Sequence, residues 1–409
     1  MKKLLLSSIA FVFLLTSCGS KTKGELVGVQ GKKWYPEKPY GMELIPRGSF
    51  IMGKSEEDQA KVLNAPTKTV TVRSFYMDDT EITNSEYRQF VEWVKDSITR
   101  TKLAILADEL GIGPEEGGIG DYAFKDADTT KSSVYDKYML DNYSGMGETG
   151  YEGRALNNDE NLIWDTSDYP DEYYAEVMDS LYIPEEESYN GQRSIDVTKL
   201  KYKYSWMDIE AAARASTKGN KSRKDFIRTE ELEIYPDTTV WIRDFEYSYN
   251  EPMHNDYFWH DAYSEYPVVG ISHEQAKAYC KWRADRINES IKIRANGKKE
   301  IPTFTCRLPS KEEWETVATE EAFEISISTS KNFGILQVSP EGVVEENEIT
   351  APVNSLKESS NGFYNLLGNV AELVAEKGTA KGGSWQHTIG EIMIGKDFKY
   401  TKPTNWIGF

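Results

Sequence analysis

The 409-residue chain has few cysteines, few histidines and more acidic than basic residues. Each of these features argues against certain classes of function. Three cysteines and four histidines leave few ligands for a transition-metal site. The 48 lysines and arginines are outnumbered by 67 aspartates and glutamates, which gives a formal net charge of −19. Because phosphate recognition requires a basic surface, the sequence predicts no nucleic-acid partner.

Long apolar runs are also scarce, and the one at residues 4–15 is too short to span a bilayer comfortably. It follows Lys2 and Lys3 and ends at Ser17 and Cys18, which is typical of a signal peptide over residues 1–17. The end of the run resembles the bacterial lipobox, in which the cysteine is acylated, so we expect lipidation at Cys18. The alternative is an ordinary signal peptide with a chance cysteine. Several acyl chains bind a membrane firmly, and the polar residues 18–40 would form a tether.

The other two cysteines are Cys280 and Cys306. In an oxidising compartment they could form a disulfide, and two separate buried thiols are an equal alternative. Sequence alone does not show whether their Cβ atoms lie close together.

Three helix starts are marked by capping boxes, at Thr83 to Glu86, Ser272 to Gln275 and Ser310 to Glu313. Residues 41–53 read as strand, turn and strand, and the alternation over residues 70–76 predicts a half-buried strand. Few other long helices are indicated. We therefore expect an α+β fold that is rich in loops.

Residues 97–265 differ from the rest of the chain in composition: they contain many tyrosines and much of the acidic charge. The pattern predicts a helix over residues 206–213 and a hairpin over residues 234–245, with Pro236 and Asp237 as its turn. Aromatic residues are 12% of the chain, which argues against disorder. Tyrosine and tryptophan supply contact area in interfaces, so this segment favours an interaction role. The alternative is that these aromatics only pack a loop-rich domain.

Five sequence blocks, in this order, resemble the formylglycine-generating, or sulfatase-modifying factor, family. They are residues 41–53, 74–84, 267–282, 307–315 and 361–372, the last followed by Lys381-Gly382-Gly383-Ser384-Trp385. The resemblance implies a C-type-lectin-like α+β fold over residues 41–409. Relative to a plain domain of this family, about 97–265 is an insertion.

The family's enzymes oxidise a substrate cysteine with a copper-holding cysteine pair just after the Gly-Gly-Ser-Trp block. In this chain the corresponding stretch, residues 386–409, contains no cysteine. A thiolate is needed both as a soft ligand and as a nucleophile, so we expect no catalysis and no copper. A related branch of the fold uses histidine-bound iron, but we expect no iron at His254, His260, His273 or His387.

The lipobox, residues 24–31 and the insertion together resemble a subfamily of gliding-motility lipoproteins. This resemblance implies an outer-membrane lipoprotein that faces the periplasm. It also implies assembly with a GldN/PorN-type periplasmic protein, and self-association, in a ring of the type IX secretion system. The alternative is a divergent enzyme or a ligand-binding module that keeps the lectin-like cleft.

The final block matches a calcium-binding loop of the family at Asn365, Gly368, Val370 and Glu372. An amide oxygen and a carboxylate are hard ligands that suit Ca²⁺, and Gly368 and Val370 would supply backbone carbonyls. We therefore expect a structural calcium site. In the alternative, Asn365 and Asn369 only cap turns and Glu372 is a surface acid.

Overall fold

The computed structural model describes residues 38–53, 67–114, 116–125, 151, 154–215, 223–244, 256–295, 303–325, 350–354, 358–359, 361–387 and 391–409. All of them belong to one unit, Lys38–Phe409. The predicted signal peptide, Cys18, nearly all of the tether and His254 lie outside the described residues.

Helices and strands alternate irregularly along the chain, as expected for α+β. The helices are α1 (Asn84–Leu110), α2 (Glu172–Asp179), α3 (Ile209–Ala215), α4 (Val240–Asp244), α5 (His273–Ala295) and α6 (Lys311–Ile325). The strands are β1 (Met42–Ile45), β2 (Gly48–Met52), β3 (Lys68–Val72), β4 (Phe75–Asp78), β5 (Lys201–Met207), β6 (Ile227–Glu233), β7 (Ala371–Leu373), β8 (Thr379–Lys381), β9 (Phe398–Lys399) and β10 (Ile407–Gly408).

The described strands form small sheets. Three antiparallel pairs, β1–β4, β2–β3 and β5–β6, stand apart from a four-stranded sheet with the order β10-β7-β8-β9. In that sheet β10 runs parallel to β7, and the other pairs are antiparallel.

The three capping boxes are confirmed. Thr83 Oγ1 accepts from the Glu86 amide at 3.1 Å, and Glu86 Oε2 accepts from the Thr83 amide at 2.9 Å. Ser272 with Gln275 and Ser310 with Glu313 make the same reciprocal bonds at the starts of α5 and α6. Each box satisfies amides that the first helical turn leaves without intrahelical partners.

Three local predictions are wrong in detail. The strand expected over residues 70–76 is two strands, because Arg73 and Ser74 separate β3 from β4. Residues 206–207 end β5, and the helix follows at Ile209–Ala215. The hairpin expected over residues 234–245 is not formed in its described part, residues 234–244: the Thr239 amide donates to Asp237 Oδ1 at 3.0 Å, and this turn leads into helix α4.

Helix α1 connects two hydrophobic cores. Its first half places Tyr87 and Phe90 in a core shared with Tyr279 of α5 and with strands of the four-stranded sheet. Its second half places Leu103 in a separate core with Tyr174 of α2. Residues of the insertion therefore have a packed core of their own, and part of their aromatic content is used in it.

No helix in the described part of the chain is long and apolar enough to cross a membrane.

Candidate functional site

The loop that precedes β7 carries three of the predicted calcium ligands, and β7 itself carries Glu372. Asn365 has a φ of 51° and Asn369 a φ of 49°, which are left-handed values uncommon for residues with a side chain. Gly368 has a φ of 99°, and its amide donates to Gly382 O at 3.1 Å. The Trp385 amide donates to Asn369 O at 2.9 Å, so the loop and the Gly-Gly-Ser-Trp block are held together.

A buried carboxylate, which the sequence did not single out, lies beside this loop. Glu81 Oε2 accepts from Asn365 Nδ2 at 3.2 Å, and Glu81 Oε1 accepts from Asn369 Nδ2 at 3.0 Å. Burial raises the pKa of Glu81 to about 8, against the effect of its hydrogen bonds. Glu81 lies in one of the family blocks, but nothing local to that block indicates a partner 284 residues away.

The predicted ligands are of donor types that suit a calcium ion, and Asn365 and Glu372 are both buried. Asn365 Oδ1 is buried and has no hydrogen-bond partner within the described structure, so this amide oxygen is available as a ligand. Glu372 is buried on β7, and its Oε2 accepts from Trp314 Nε1 at 2.8 Å. Among the described residues no group of three or more His, Cys, Asp or Glu could hold a metal. The predicted site contains a single carboxylate, with amide and backbone oxygens beside it, and it stays a prediction.

The stretch after the Gly-Gly-Ser-Trp block is packed by aromatic residues. Ser384 is buried, and its Oγ lies 2.8 Å from His387 Nδ1. The His387 ring meets Phe398 at a centroid distance of 4.3 Å and Trp406 at 5.2 Å. Burial lowers the pKa of His387, which favours its neutral form.

The other described histidines have backbone partners. His273 begins α5, as predicted, and its Nε2 lies 3.0 Å from Val374 O. His260 accepts from the Ala262 amide through Nδ1 at 3.1 Å. The His260 side chain therefore serves a turn, and the His273 side chain joins the start of α5 to the backbone after β7.

A cavity of about 270 Å³ lies between the β1–β4 pair, α5 and residues 304–309. Its lining is mostly apolar, but Arg283 Nη1 lies 2.7 Å from Asp78 Oδ1 at its wall. Burial raises the pKa of Asp78 to about 6, although Arg283 acts in the opposite direction. The sequence did not indicate this ion pair, because its partners lie far apart along the chain.

Cys280 and Cys306 both line this cavity as free, half-buried thiols. Burial raises the pKa of Cys280, and it raises the pKa of Cys306 to about 11. The sequence left a disulfide and two separate thiols as equal alternatives, and the disulfide stays a prediction.

Comparison with known proteins identifies the class. Residues 32–409 match the sulfatase-modifying factor enzyme 1-like domain, also called FGE-sulfatase. The chain therefore belongs to this family, as the sequence blocks predicted.

Individual relatives are distant. The formylglycine-generating enzyme of Bos taurus is 38% identical over 56 residues, which are 14% of this chain and 15% of that protein. PvdO from Pseudomonas aeruginosa is 13% identical, with 90% of this chain and 92% of that chain covered and a TM-score of 0.34. CarF is 14% identical, with coverages of 91% and 97% and a TM-score of 0.35.

Proposed function

We propose that the protein is a non-catalytic, lipid-anchored scaffold of the bacterial envelope. Its role would be that of the lipoproteins called GldK, or PorK in non-gliding relatives: a structural ring component of the type IX secretion and gliding machinery. The observation that carries the proposal is the composition of residues 386–409, which contain no cysteine where the family's enzymes hold copper. The proposal includes the C-type-lectin-like fold that the resemblance to the formylglycine-generating family implies.

The geometry after the Gly-Gly-Ser-Trp block supports a structural role. His387 is packed between Phe398 and Trp406, and Ser384 is buried. Reactive cysteines need a lowered pKa and access to substrate. Cys280 and Cys306 have raised pKa values and lie outside residues 386–409, so neither supplies the missing thiolate.

The insertion supports an interaction role. Its packed core, which includes Tyr174 and Met178, holds a folded surface in place. Elsewhere in the insertion, Tyr189 is 82% exposed and Ile209 is 73% exposed. Large exposed side chains on a packed framework are typical of protein interfaces.

The test is mild-detergent extraction of the tagged full-length protein from the outer membrane, followed by mass spectrometry and electron microscopy. We expect a GldN/PorN-type periplasmic protein to co-purify in ring-shaped particles. Cys18→Ser should release the protein from membranes or block its maturation, because the acyl chains would be its anchor. Cys306→Ser is the matched control and should leave the anchor intact. Extraction as a monomer without a partner would contradict the proposal.

A second candidate function is ligand binding in the 270 Å³ cavity, which the Asp78–Arg283 pair favours. Apolar cavities with a few placed polar groups are typical ligand sites. A small molecule retained in native mass spectrometry of the purified protein, and lost in Arg283→Met, would favour this function over the scaffold.

A further inference from the structure

The β5–β6 ribbon has one buried face and one exposed face. Tyr202, Tyr204, Trp206 and Leu232 pack against the first core. The opposite side, here called the ladder face, consists of Lys201, Lys203, Ser205 and Met207 on β5 and Ile227, Thr229, Glu231 and Glu233 on β6. All eight of its residues are exposed.

On the ladder face, basic and acidic residues lie opposite each other on the two strands. Cross-strand neighbours are Lys201 with Glu233, Lys203 with Glu231, Ser205 with Thr229 and Met207 with Ile227. One strand is therefore positive and the other negative at the same end of the ribbon, and the other end is apolar, with Met207 43% and Ile227 49% exposed.

The four charged side chains are available to a partner. Within the described part of the chain none of them forms an ion pair, whereas Ser205 Oγ and Thr229 Oγ1 lie 3.0 Å apart. Just before β5, by contrast, the half-buried Lys199 pairs with Asp196 at 3.1 Å. Opposite charges on neighbouring strands that do not pair with each other can pair across an interface.

We infer that the ladder face binds the same face of a second copy of this chain, about a two-fold axis that runs parallel to the strands. Rotation about this axis places β5 of one copy over β6 of the other without changing the position along the strands. Lys201 then faces Glu233 of the second copy, Lys203 faces Glu231, and Met207 faces Ile227. Every charge meets its opposite and the apolar ends meet each other, as an isologous contact requires.

The spacing and size of this contact fit a weak association. Packed sheets lie about 10 Å apart, a gap that lysine and glutamate side chains can bridge. A stable interface buries about 800 Å² per partner, and eight side chains supply less than that. The pair would therefore form mainly where chains are concentrated, as on a membrane or in a larger assembly. A two-fold contact closes on itself, so it makes pairs and not a ring. The inference rests on the proposed function only for the location on a membrane or in a larger assembly.

Charge reversal tests the geometry. In Lys203→Glu, acid faces acid twice across the two-fold axis, and in Glu231→Lys, base faces base twice. Each variant alone should self-associate at least about tenfold more weakly than the parent, because every contact occurs twice. A mixture of the two variants restores opposite charges at both contacts and should form mixed pairs. The double variant Lys203→Glu/Glu231→Lys should self-associate like the parent.

Full-length protein in mild detergent would be measured by sedimentation velocity at low salt, with one variant isotopically labelled so that carbodiimide cross-links between chains can be told from those within a chain. Lys402→Glu, an exposed lysine elsewhere, is the control for net charge and should associate like the parent. Unchanged association of the single variants, no recovery in the mixture, or a parent that stays monomeric overturns the inference. Retained co-purification of the single variants with the envelope partner in that case would leave the proposed function standing.

Discussion

Lys381 Nζ lies 2.6 Å from Glu315 Oε1, and the two side chains are 0% and 4% exposed. This ion pair ties β8 to α6 directly before the Gly-Gly-Ser-Trp block. The ammonium also lies 3.3 Å from Asp397 Oδ1. Burial raises the pKa of Glu315, and Lys381 opposes that effect.

Removal of one partner should therefore be costly. Lys381→Met leaves a buried carboxylate without its cation, and we expect a loss of about 3–5 kcal/mol in the free energy of unfolding. The double variant Lys381→Met/Glu315→Leu should recover much of this loss, because it buries no unpaired charge. Urea denaturation measures these free energies of unfolding, with Lys402→Met as the surface control. A loss below about 1 kcal/mol for Lys381→Met would mean that the pair behaves like an exposed one.

Arg307 and Glu313 make a two-pronged ion pair at the start of α6, with both N–O distances at 2.7 Å. Burial acts to raise the pKa of Glu313, but the bonds from Arg307 and from the Ser310 amide outweigh it and lower the pKa below its ordinary value of 4.5. Since the pKa is lower in the folded state, the stabilisation is complete above pH 4.5 and is lost as the pH falls through the folded value.

We predict that Glu313→Gln lowers the free energy of unfolding at pH 7. Between about pH 5 and pH 3 the free energy of unfolding of this variant should decline less steeply than that of the parent. Urea denaturation at a series of pH values measures both. Glu185→Gln, at an exposed acid, should leave the profile unchanged. Parallel profiles for parent and Glu313→Gln would contradict the assignment of this acid limb to Glu313.

Short sequence patterns predicted the starts of helices well, but they did not predict contacts between residues that are far apart in the sequence. Thr83, Ser272 and Ser310 mark helix starts because a capping box needs only four consecutive residues. The hairpin expected after Ile234 failed because the turn at Asp237 leads into a helix, held by the bond of the Asp237 amide to Gly270 O. Partners such as Glu81 with Asn369, or Asp78 with Arg283, meet only through tertiary packing, so no local pattern could reveal them.

The absence of a cysteine pair in residues 386–409 predicts that the protein does not convert cysteine to formylglycine. Purified protein with copper and a cysteine-containing sulfatase peptide should yield no aldehyde, as measured by mass spectrometry of the peptide. An active formylglycine-generating enzyme serves as the positive control. Aldehyde formed over several turnovers would contradict the non-catalytic proposal. Its persistence in Cys280→Ser/Cys306→Ser would show that the two remaining thiols of the folded domain are not involved.

The calcium prediction concerns Asn365 and Glu372. Asn365 Oδ1 is buried without a hydrogen-bond partner in the described structure, and a cation would satisfy it. A ligand that binds only the folded state stabilises it by mass action. In protein shown to be metal-free at the start, added calcium should therefore raise the melting temperature, and chelation should reverse the rise.

Two variants separate a calcium ligand from a packing residue. Glu372→Gln keeps an oxygen that can accept the Trp314 indole bond but removes the charge, so its melting temperature should respond weakly to calcium. Asn365→Asp adds a hard anionic ligand and should strengthen the response. Glu358→Gln, outside the loop, is the matched control and should respond like the parent. Equal melting temperatures with calcium and with chelator, for the parent protein, would leave Asn365 and Asn369 as turn-forming residues and Glu372 as an acceptor of the Trp314 bond.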